Sequence, residues 1–275
     1  MTLSTIRNNP AKQKKVKTKK QKAIAATCAV AFWLLVWHVV SLCVGSELVL
    51  VSPVKVVQTL FTVIFDPDFL KTVWYSAARI LGGFFTALML GTVLGWVASR
   101  FWVVETLLRP ITAVIKATPV ASFIILVLLW FSGKNLSVII SMLMVFPVIY
   151  MNVLEGIRSA DEKLLEMAQV FRLSVGKKLL YIYLPAVAPF FVSACSVSLG
   201  LCWKSGIAAE VIGTPDGSIG AVFYQAKIFL QTSELLAWTV VVVAVSVAFE
   251  KLFMFLLRLV LKKLKMEDVL NGKRA

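Results

Sequence analysis

Charged residues are scarce in this sequence. Of its 275 residues, 16% are charged and 59% are hydrophobic, whereas soluble domains usually carry about 25% charged and about 45–50% apolar residues. A soluble core of this size cannot bury so much apolar surface. The shortage of charge therefore excludes an ordinary soluble domain and predicts a protein with several membrane-spanning helices.

Residues that form metal and redox sites are also few. The sequence has one histidine, His38, and four cysteines, Cys28, Cys43, Cys195 and Cys202. The cysteines contain no CxxC pair, and one histidine without partners does not make a metal site. We predict no metal site, and we interpret the cysteines as small hydrophobic side chains in or beside apolar helices.

Motifs for binding or hydrolysing nucleotides are missing as well. The Gly-Lys pairs at 133–134, 176–177 and 272–273 lack the upstream glycine and the following Ser or Thr of a phosphate-binding loop. The sequence contains no GxSxG motif, no HExxH motif and no dinucleotide-binding fingerprint. We therefore predict no catalytic residue and no cofactor bound by this chain.

Six stretches are apolar enough to cross the hydrocarbon core of a membrane, which requires about 20 residues. They cover residues 23–44, 77–99, 110–131, 136–154, 185–203 and 236–257. The sequence thus predicts an all-α membrane protein with about six transmembrane helices, of which the last five form a core at 77–257.

The basic residues indicate how these spans are oriented. Most of the 29 Lys and Arg residues lie in the tails 1–22 and 258–275 and in the loops 99–109 and 155–183. The positive-inside rule then places both termini and both loops in the cytoplasm. Basic clusters beside apolar spans favour contact with lipid headgroups, so the net charge of +15 does not predict a nucleic-acid partner.

Two segments on the external side are expected to hold structure of their own. Residues 45–76 contain Ser52 as a cap and Pro53 at a first helical position, which predicts a short amphipathic helix along the membrane surface. Residues 204–235 are apolar but interrupted by glycines, and such backbone is tolerated at membrane depth only inside protein or a wet cavity. We predict an external re-entrant segment there.

A small residue recurs at every fourth position of the second span. Because small residues allow helix backbones to approach closely, this pattern predicts tight helix packing, either within one subunit or across a dimer. The residues are Gly83, Ala87, Gly91 and Gly95.

None of the 14 acidic residues is predicted to lie near the middle of a span. Ion-coupled carriers usually keep acidic side chains at that depth. An ion-coupled carrier is therefore the least favoured of the transport hypotheses.

The loop 155–183 is half polar and carries several helix signals. Ser159 and Glu162 have the spacing of a capping box, which predicts a helix from Asp161 to about Phe171. Ser174 is expected to cap a second short helix, and Leu184-Pro185 to bend the chain into the fifth span.

One face of the first loop helix is apolar. Leu164, Ala168 and Phe171 follow each other at positions i, i+4 and i+7. An apolar face on a cytoplasmic helix favours docking into a groove of another protein. A plain amphipathic connector is the alternative.

The segment EMAQVFRLSVGKKLLYIYLP, residues 166–185, resembles the signature loop of permease subunits in binding-protein-dependent ABC importers. Arg172 stands where that pattern has a glycine. The segments KATPVASFIILVLLWFSG and LGLCWKSGIAAEVIG are similar to the nitrate, sulfonate and taurine branch, and the resemblance covers roughly residues 50 to 260. The matching loop residues are Glu166, Ala168, Ile182, Leu184 and Pro185.

The resemblance implies a type I importer permease fold in a bacterial plasma membrane. It also implies a second permease subunit (a homodimer), an external solute-binding protein, and cytoplasmic ATPase subunits that use ATP and Mg²⁺. The loop would dock to the ATPase through Leu164, Ala168 and Phe171, with polar contacts from Glu166, Arg172, Lys177 and Lys178.

Pro185 would connect this loop to the fifth span. For the translocation pathway we nominate Lys116, Thr118, Pro119, Lys204 and Glu210. The solute stays open among sulfonates, taurine, nitrate and pyrimidine-type vitamin precursors. A membrane anchor or assembly protein that recruits a cytoplasmic partner is the alternative function.

Overall fold

The structure is a computed structural model that describes residues 19–264. Within that range the chain is helical, and no β-strand occurs there. Residues 1–18 and 265–275, which hold most of the predicted basic tails, lie outside it. The helices are α1 (Lys19–Val44), α2 (Pro53–Ile64), α3 (Phe69–Arg100), α4 (Trp102–Ala117), α5 (Val120–Trp130), α6 (Gly133–Arg158), α7 (Glu162–Val170), α8 (Val175–Lys178), α9 (Leu184–Gly213), α10 (Ile219–Ile228) and α11 (Thr232–Lys263).

Five of the described helical stretches are long and apolar enough to cross a membrane. They are Thr27–Val44 within α1, the whole of α3, α6 and α11, and the continuous stretch Val175–Gly213 that ends with α9. The pair α4 and α5 makes a sixth span if it is counted as one, although it is bent by 110°. The prediction of an all-α fold with about six spans is confirmed, while the side on which the termini lie stays a prediction.

Several helices are longer than the spans predicted for them. α3 starts at Phe69, inside the predicted external segment 45–76, and α9 continues to Gly213, inside the predicted segment 204–235. α11 likewise extends to Lys263, inside the predicted basic tail. Hydropathy marks only the part of a helix that lies in lipid, whereas the backbone hydrogen bonds continue past the membrane surface. The helices therefore extend past the predicted spans, and the positions at which they enter and leave the lipid stay predictions.

The chain divides into two compact units, with the boundary between Lys55 and Val56. The first unit contains α1, whose apolar residues are spread around the whole helix. It also contains the start of α2, where Pro53 is the first helical residue and the Ser52 hydroxyl accepts the Lys55 amide at 3.4 Å. A position of α2 along a membrane surface stays a prediction.

In the second unit, α3 and α9 both pack closely against α6. A Cβ added to Gly83 would lie 2.4 Å from the carbonyl oxygen of Val138, and one added to Gly91 would lie 2.9 Å from the Cβ of Ile149. The four small residues predicted to serve helix packing, Gly83, Ala87, Gly91 and Gly95, are all buried in α3. The close contact that they permit occurs within one chain.

A large apolar cluster fills the space between these three helices. It includes Ile80 and Phe84 of α3, Ile149 of α6, and Leu199 and Trp203 of α9, all of them buried. Because such a cluster holds the helices at fixed distances, the shorter elements at their ends are attached to a rigid frame.

Candidate functional site

The segment between α6 and α9 is helical for most of its length. Its first helix, α7, begins at Glu162, and the Asp161 carboxylate caps it by accepting the Lys163 amide at 2.9 Å. The predicted capping box of Ser159 and Glu162 is wrong. Because α6 extends to Arg158, Ser159 ends that helix, and its hydroxyl donates to the Gly156 carbonyl at 2.8 Å.

α7 ends in a Schellman motif. The Arg172 amide donates to the Gln169 carbonyl at 3.0 Å, and the Leu173 amide donates to the Ala168 carbonyl at 2.9 Å. Arg172 has a φ of +48°, in the left-handed region that glycine adopts without a Cβ penalty. The backbone therefore makes the turn for which the resembling loops use glycine, although this chain has arginine there.

The two sides of α7 differ in exposure. Ala168 is fully buried and packs with Ala160, Ile182 and Ala186. The exposed apolar side chains of α7 and its C-cap form what we call the docking face, which consists of Leu164, Met167, Val170 and Phe171.

The predicted docking face thus needs correction. Ala168 lies on the inner side of α7 because its small side chain allows close packing against the segment that leads into α9. Met167 and Val170 were missed, since the i, i+4, i+7 pattern follows only one of the two edges of an apolar stripe.

A π-helical segment, Leu179–Tyr183, joins α8 directly to α9. The Leu184 amide donates to the carbonyl of Leu179, five residues back. A proline ring collides with the carbonyl four residues before it in an α-helix, and the wider π turn accommodates Pro185 without ending the helix. The sequence predicted that Leu184-Pro185 bends the chain into the fifth span; the helix is not interrupted there, because Val175–Gly213 is one continuous helical stretch.

The polar residues predicted for the loop separate into two groups. Glu166, Arg172 and Lys177 are exposed, as is Ser174, which occupies the N-cap position of α8 without a side-chain hydrogen bond to that helix. Lys178 is half-buried and lines a pocket between α3 and the loop. It therefore does not lie with the exposed polar residues.

The third span is broken at Thr118-Pro119. α4 ends at Ala117, α5 begins at Val120, and the axes of the two helices differ by 110°. Since Pro119 donates no amide hydrogen, the turn is closed from Thr118, whose amide and hydroxyl both donate to the Val114 carbonyl. The exposed Lys116 lies just before the break, with its Nζ 3.4 Å from the sulfur of Met151.

Glu210 lies inside the helix bundle and not at a loop. It is fully buried in α9, where its Oε2 accepts the Ser76 hydroxyl at 2.6 Å and the Gly220 amide at 3.4 Å. The Ser76 hydroxyl in turn accepts the Ile219 amide at 2.9 Å. Glu210 and Ser76 thereby satisfy amides in the first turn of α10, which would otherwise have no partner.

The part that the nominated residues play in a translocation pathway stays a prediction. Lys204 is exposed on α9, and among residues 19–264 no hydrogen bond or ion pair joins it to Lys116 or Glu210. The sequence analysis missed Ser76 and Gly220, which fix the position of α10. The available signal was a single acid in the apolar run GIAAEVIG, because a buried carboxyl requires polar partners.

Comparison with known protein families identifies the family of this chain. Residues 87–266, more than half of the chain, match the family described as binding-protein-dependent transport system inner membrane component. The chain belongs to this family. Its members are permease subunits, so the chain is an ABC permease and a multi-pass protein of the plasma membrane.

Individual relatives indicate to which branch of the family the chain belongs. The chain is 29% identical to the putative aliphatic sulfonates transport permease SsuC of Bacillus subtilis, over 78% of each chain. It is 27% identical to the taurine transport permease TauC of Escherichia coli, over 78% of this chain and 80% of that one. It is 25% identical to the nitrate import permease NrtB of Synechocystis, over 74% and 76%. These relatives place the permease in the nitrate, sulfonate and taurine branch.

A solved structure shows the same fold. The crystal structure of an amino acid ABC transporter with histidines matches with a TM-score of 0.51 and 16% identity, covering 70% of this chain and 96% of that one.

Proposed function

We propose that this permease forms the translocation pathway of an ATP-driven importer and is coupled to its ATPase subunits through the docking face of α7. The observation that carries the proposal is the exposure of four large apolar side chains on a short, capped helix outside the apolar spans. Phe171 is 71% exposed and Val170 is 79% exposed. Such a face is suited to a hydrophobic groove on a partner protein.

The inner side of α7 would transmit a movement of the bound ATPase to the membrane helices. Ala168 packs against Ile182 of the π-helical segment and Ala186 of α9, and these residues belong to one continuous helical stretch. A displacement of α7 by the partner would therefore move the cytoplasmic end of α9 as a rigid element. ATP and Mg²⁺ would be used by the partner, and this chain supplies no catalytic group.

The solute is proposed to be a small sulfonate or inorganic oxyanion. Relatives of this chain are named for aliphatic sulfonates, taurine, nitrate and bicarbonate. An external solute-binding protein would deliver the solute, and a second copy of this chain would complete the pathway.

Copurification of the ATPase subunits with the permease tests the docking face. Phe171→Ala removes an exposed ring from that face, whereas Tyr181→Ala removes an equally exposed ring, 69% accessible, from the π-helical segment. Because truncating an aromatic anchor typically costs more than 1 kcal/mol, we expect Phe171→Ala to lower ATPase recovery about tenfold and Tyr181→Ala to leave it unchanged. Equal recovery for both variants would contradict the proposed coupling site.

A further inference from the structure

A pocket of about 300 Å³ lies on the opposite side of α7 from the docking face. It is enclosed by the end of α3, the end of α6, α7, α8 and the π-helical segment. Its volume is at the lower limit of pockets that hold small ligands, which measure about 300–1,000 Å³.

Two basic side chains line this pocket, Arg100 at the end of α3 and Lys178 at the end of α8. None of the described residues that line it is acidic. In the part of the chain that the structure describes, the ion pairs join Lys71 to Asp68 and Arg158 to Glu105, so neither Arg100 nor Lys178 has an acidic partner there. Two like charges that line one cavity repel each other, and an anion bound between them would be attracted to both and offset that repulsion.

The remaining lining is divided between hydrogen-bond donors and apolar surface. Gln169 and Tyr183, whose side chains can donate hydrogen bonds, also line the pocket, together with Trp96 and Leu179, which are about half-exposed. A ligand that matches this lining has a negatively charged group attached to an apolar chain. Tryptophan is also enriched where membranes meet water.

The position of the pocket indicates where such a ligand would come from. Arg100 ends the apolar helix α3, and Lys178 lies near the start of the apolar stretch Val175–Gly213. Both cations therefore lie at or near the ends of helical stretches that are long and apolar enough to cross a membrane. Basic pockets at this depth on the cytoplasmic side bind anionic headgroups.

We propose that this pocket binds the phosphate of an anionic phospholipid from the cytoplasmic leaflet. This proposal rests on the same cytoplasmic placement of the loop as the proposed function does. The residues that line the pocket, however, do not belong to the docking face. The bound phosphate would bridge Arg100 of α3 and Lys178 of the loop. It would thereby fix the base of α7 against the membrane helices.

The geometry of α7 allows the lipid and the ATPase to bind together. Leu165 and Gln169 line the pocket, whereas Met167 and Val170 belong to the docking face. At 100° per residue these two pairs lie on nearly opposite sides of the helix. Variants of the pocket can therefore be assayed for lipid binding without altering the docking face.

Native mass spectrometry of the purified full-length permease tests the proposal. It would be titrated with phosphatidylglycerol, with phosphatidylcholine and with inorganic phosphate. We expect one tightly bound phosphatidylglycerol per chain, and about 30-fold weaker binding of this lipid by the double variant Arg100→Gln/Lys178→Gln. Lys177→Gln, an exposed neighbour outside the pocket, is the matched control and should change the affinity less than twofold.

A conservative variant separates loss of charge from loss of fold. Arg100→Lys/Lys178→Arg keeps both cations and should retain binding within about threefold. The proposal is overturned if phosphatidylcholine binds as tightly as phosphatidylglycerol, or if Lys177→Gln weakens binding as much as the double variant. Pocket-dependent binding of inorganic phosphate without binding of the lipid would overturn the lipid source. Loss of ATPase docking with normal lipid binding would count only against the proposed function.

Discussion

The Ser76 hydroxyl donates to Glu210 Oε2 at 2.6 Å and joins residues that are 134 positions apart in the chain. The same hydroxyl accepts the Ile219 amide, and Glu210 accepts the Gly220 amide. With Ser218, whose hydroxyl accepts the Ala221 amide at 3.0 Å, these side chains satisfy three successive amides at the start of α10. One buried carboxyl thus holds α3, α9 and α10 together.

Ser76→Ala should destabilise the permease. It leaves the Ile219 amide buried without a partner and removes a donor from Glu210, which costs about 1–3 kcal/mol. We expect the melting temperature in detergent to fall by roughly 3–10 °C. Ser122→Ala is the control, because Ser122 is exposed on α5. Equal melting temperatures for Ser76→Ala and the wild type would show that the network contributes nothing.

Gly83→Ala and Gly82→Ala should have opposite effects. A Cβ at Gly83 would lie 2.4 Å from the Val138 carbonyl oxygen, whereas a Cβ at Gly82 meets nothing within 4 Å. The first substitution forces α3 and α6 apart at a cost of about 1–3 kcal/mol. The second replaces glycine in a helix and should stabilise by up to about 1 kcal/mol. Thermal unfolding of both variants provides the comparison, and destabilisation by both would rule out this packing account.

Arg172→Gly should stabilise the loop. The position requires a left-handed backbone, which costs a residue with a Cβ about 1–2 kcal/mol relative to glycine. Arg172→Ala keeps the Cβ and serves as the control that removes only the charge and the long side chain. We expect slower hydrogen exchange of the Leu173 amide in the glycine variant alone. Slower exchange in both variants would assign the effect to the arginine side chain.

Asp161→Ala should loosen the first turn of α7, whereas Ser159→Ala should not. The Asp161 carboxylate accepts an amide of α7, that of Lys163, whereas the Ser159 hydroxyl donates to the Gly156 carbonyl of α6. Loss of a cap costs about 1 kcal/mol, so hydrogen exchange at residues 162–165 should become about fivefold faster. Faster exchange in the Ser159 variant instead would restore the capping box that the sequence predicted.

The sequence predicted the membrane spans well because a helix in lipid needs a long apolar run. It failed at the ends of helices, where polar residues at the membrane surface continue the same backbone hydrogen bonds. Gly206 shows the cause most clearly. It was interpreted as an interruption, yet α9 continues through it. A Cβ at this position would lie 2.6 Å from Ile80 Cγ1, so the glycine permits close contact between α9 and α3.

The loop was predicted in position and in composition but not in orientation. The apolar residues of α7 lie on two sides, one buried against the segment that leads into α9 and one exposed. The period of the sequence does not distinguish them. Ala168 was therefore placed on the docking face, and Lys178 among the exposed polar residues. The network around Glu210 required knowing that Ser76 and Gly220 meet in space, which no local pattern contains.

Uptake of a radiolabelled sulfonate into proteoliposomes tests the central claim most directly. The permease is reconstituted with its ATPase subunits and solute-binding protein. Uptake is measured with and without ATP on the side that the ATPase subunits face, and again in the presence of an uncoupler. We predict that uptake requires both the ATPase subunits and ATP and is insensitive to the uncoupler. Uptake at full rate by the permease without nucleotide, or its collapse with the uncoupler while ATP is constant, would contradict ATP-driven coupling through the loop.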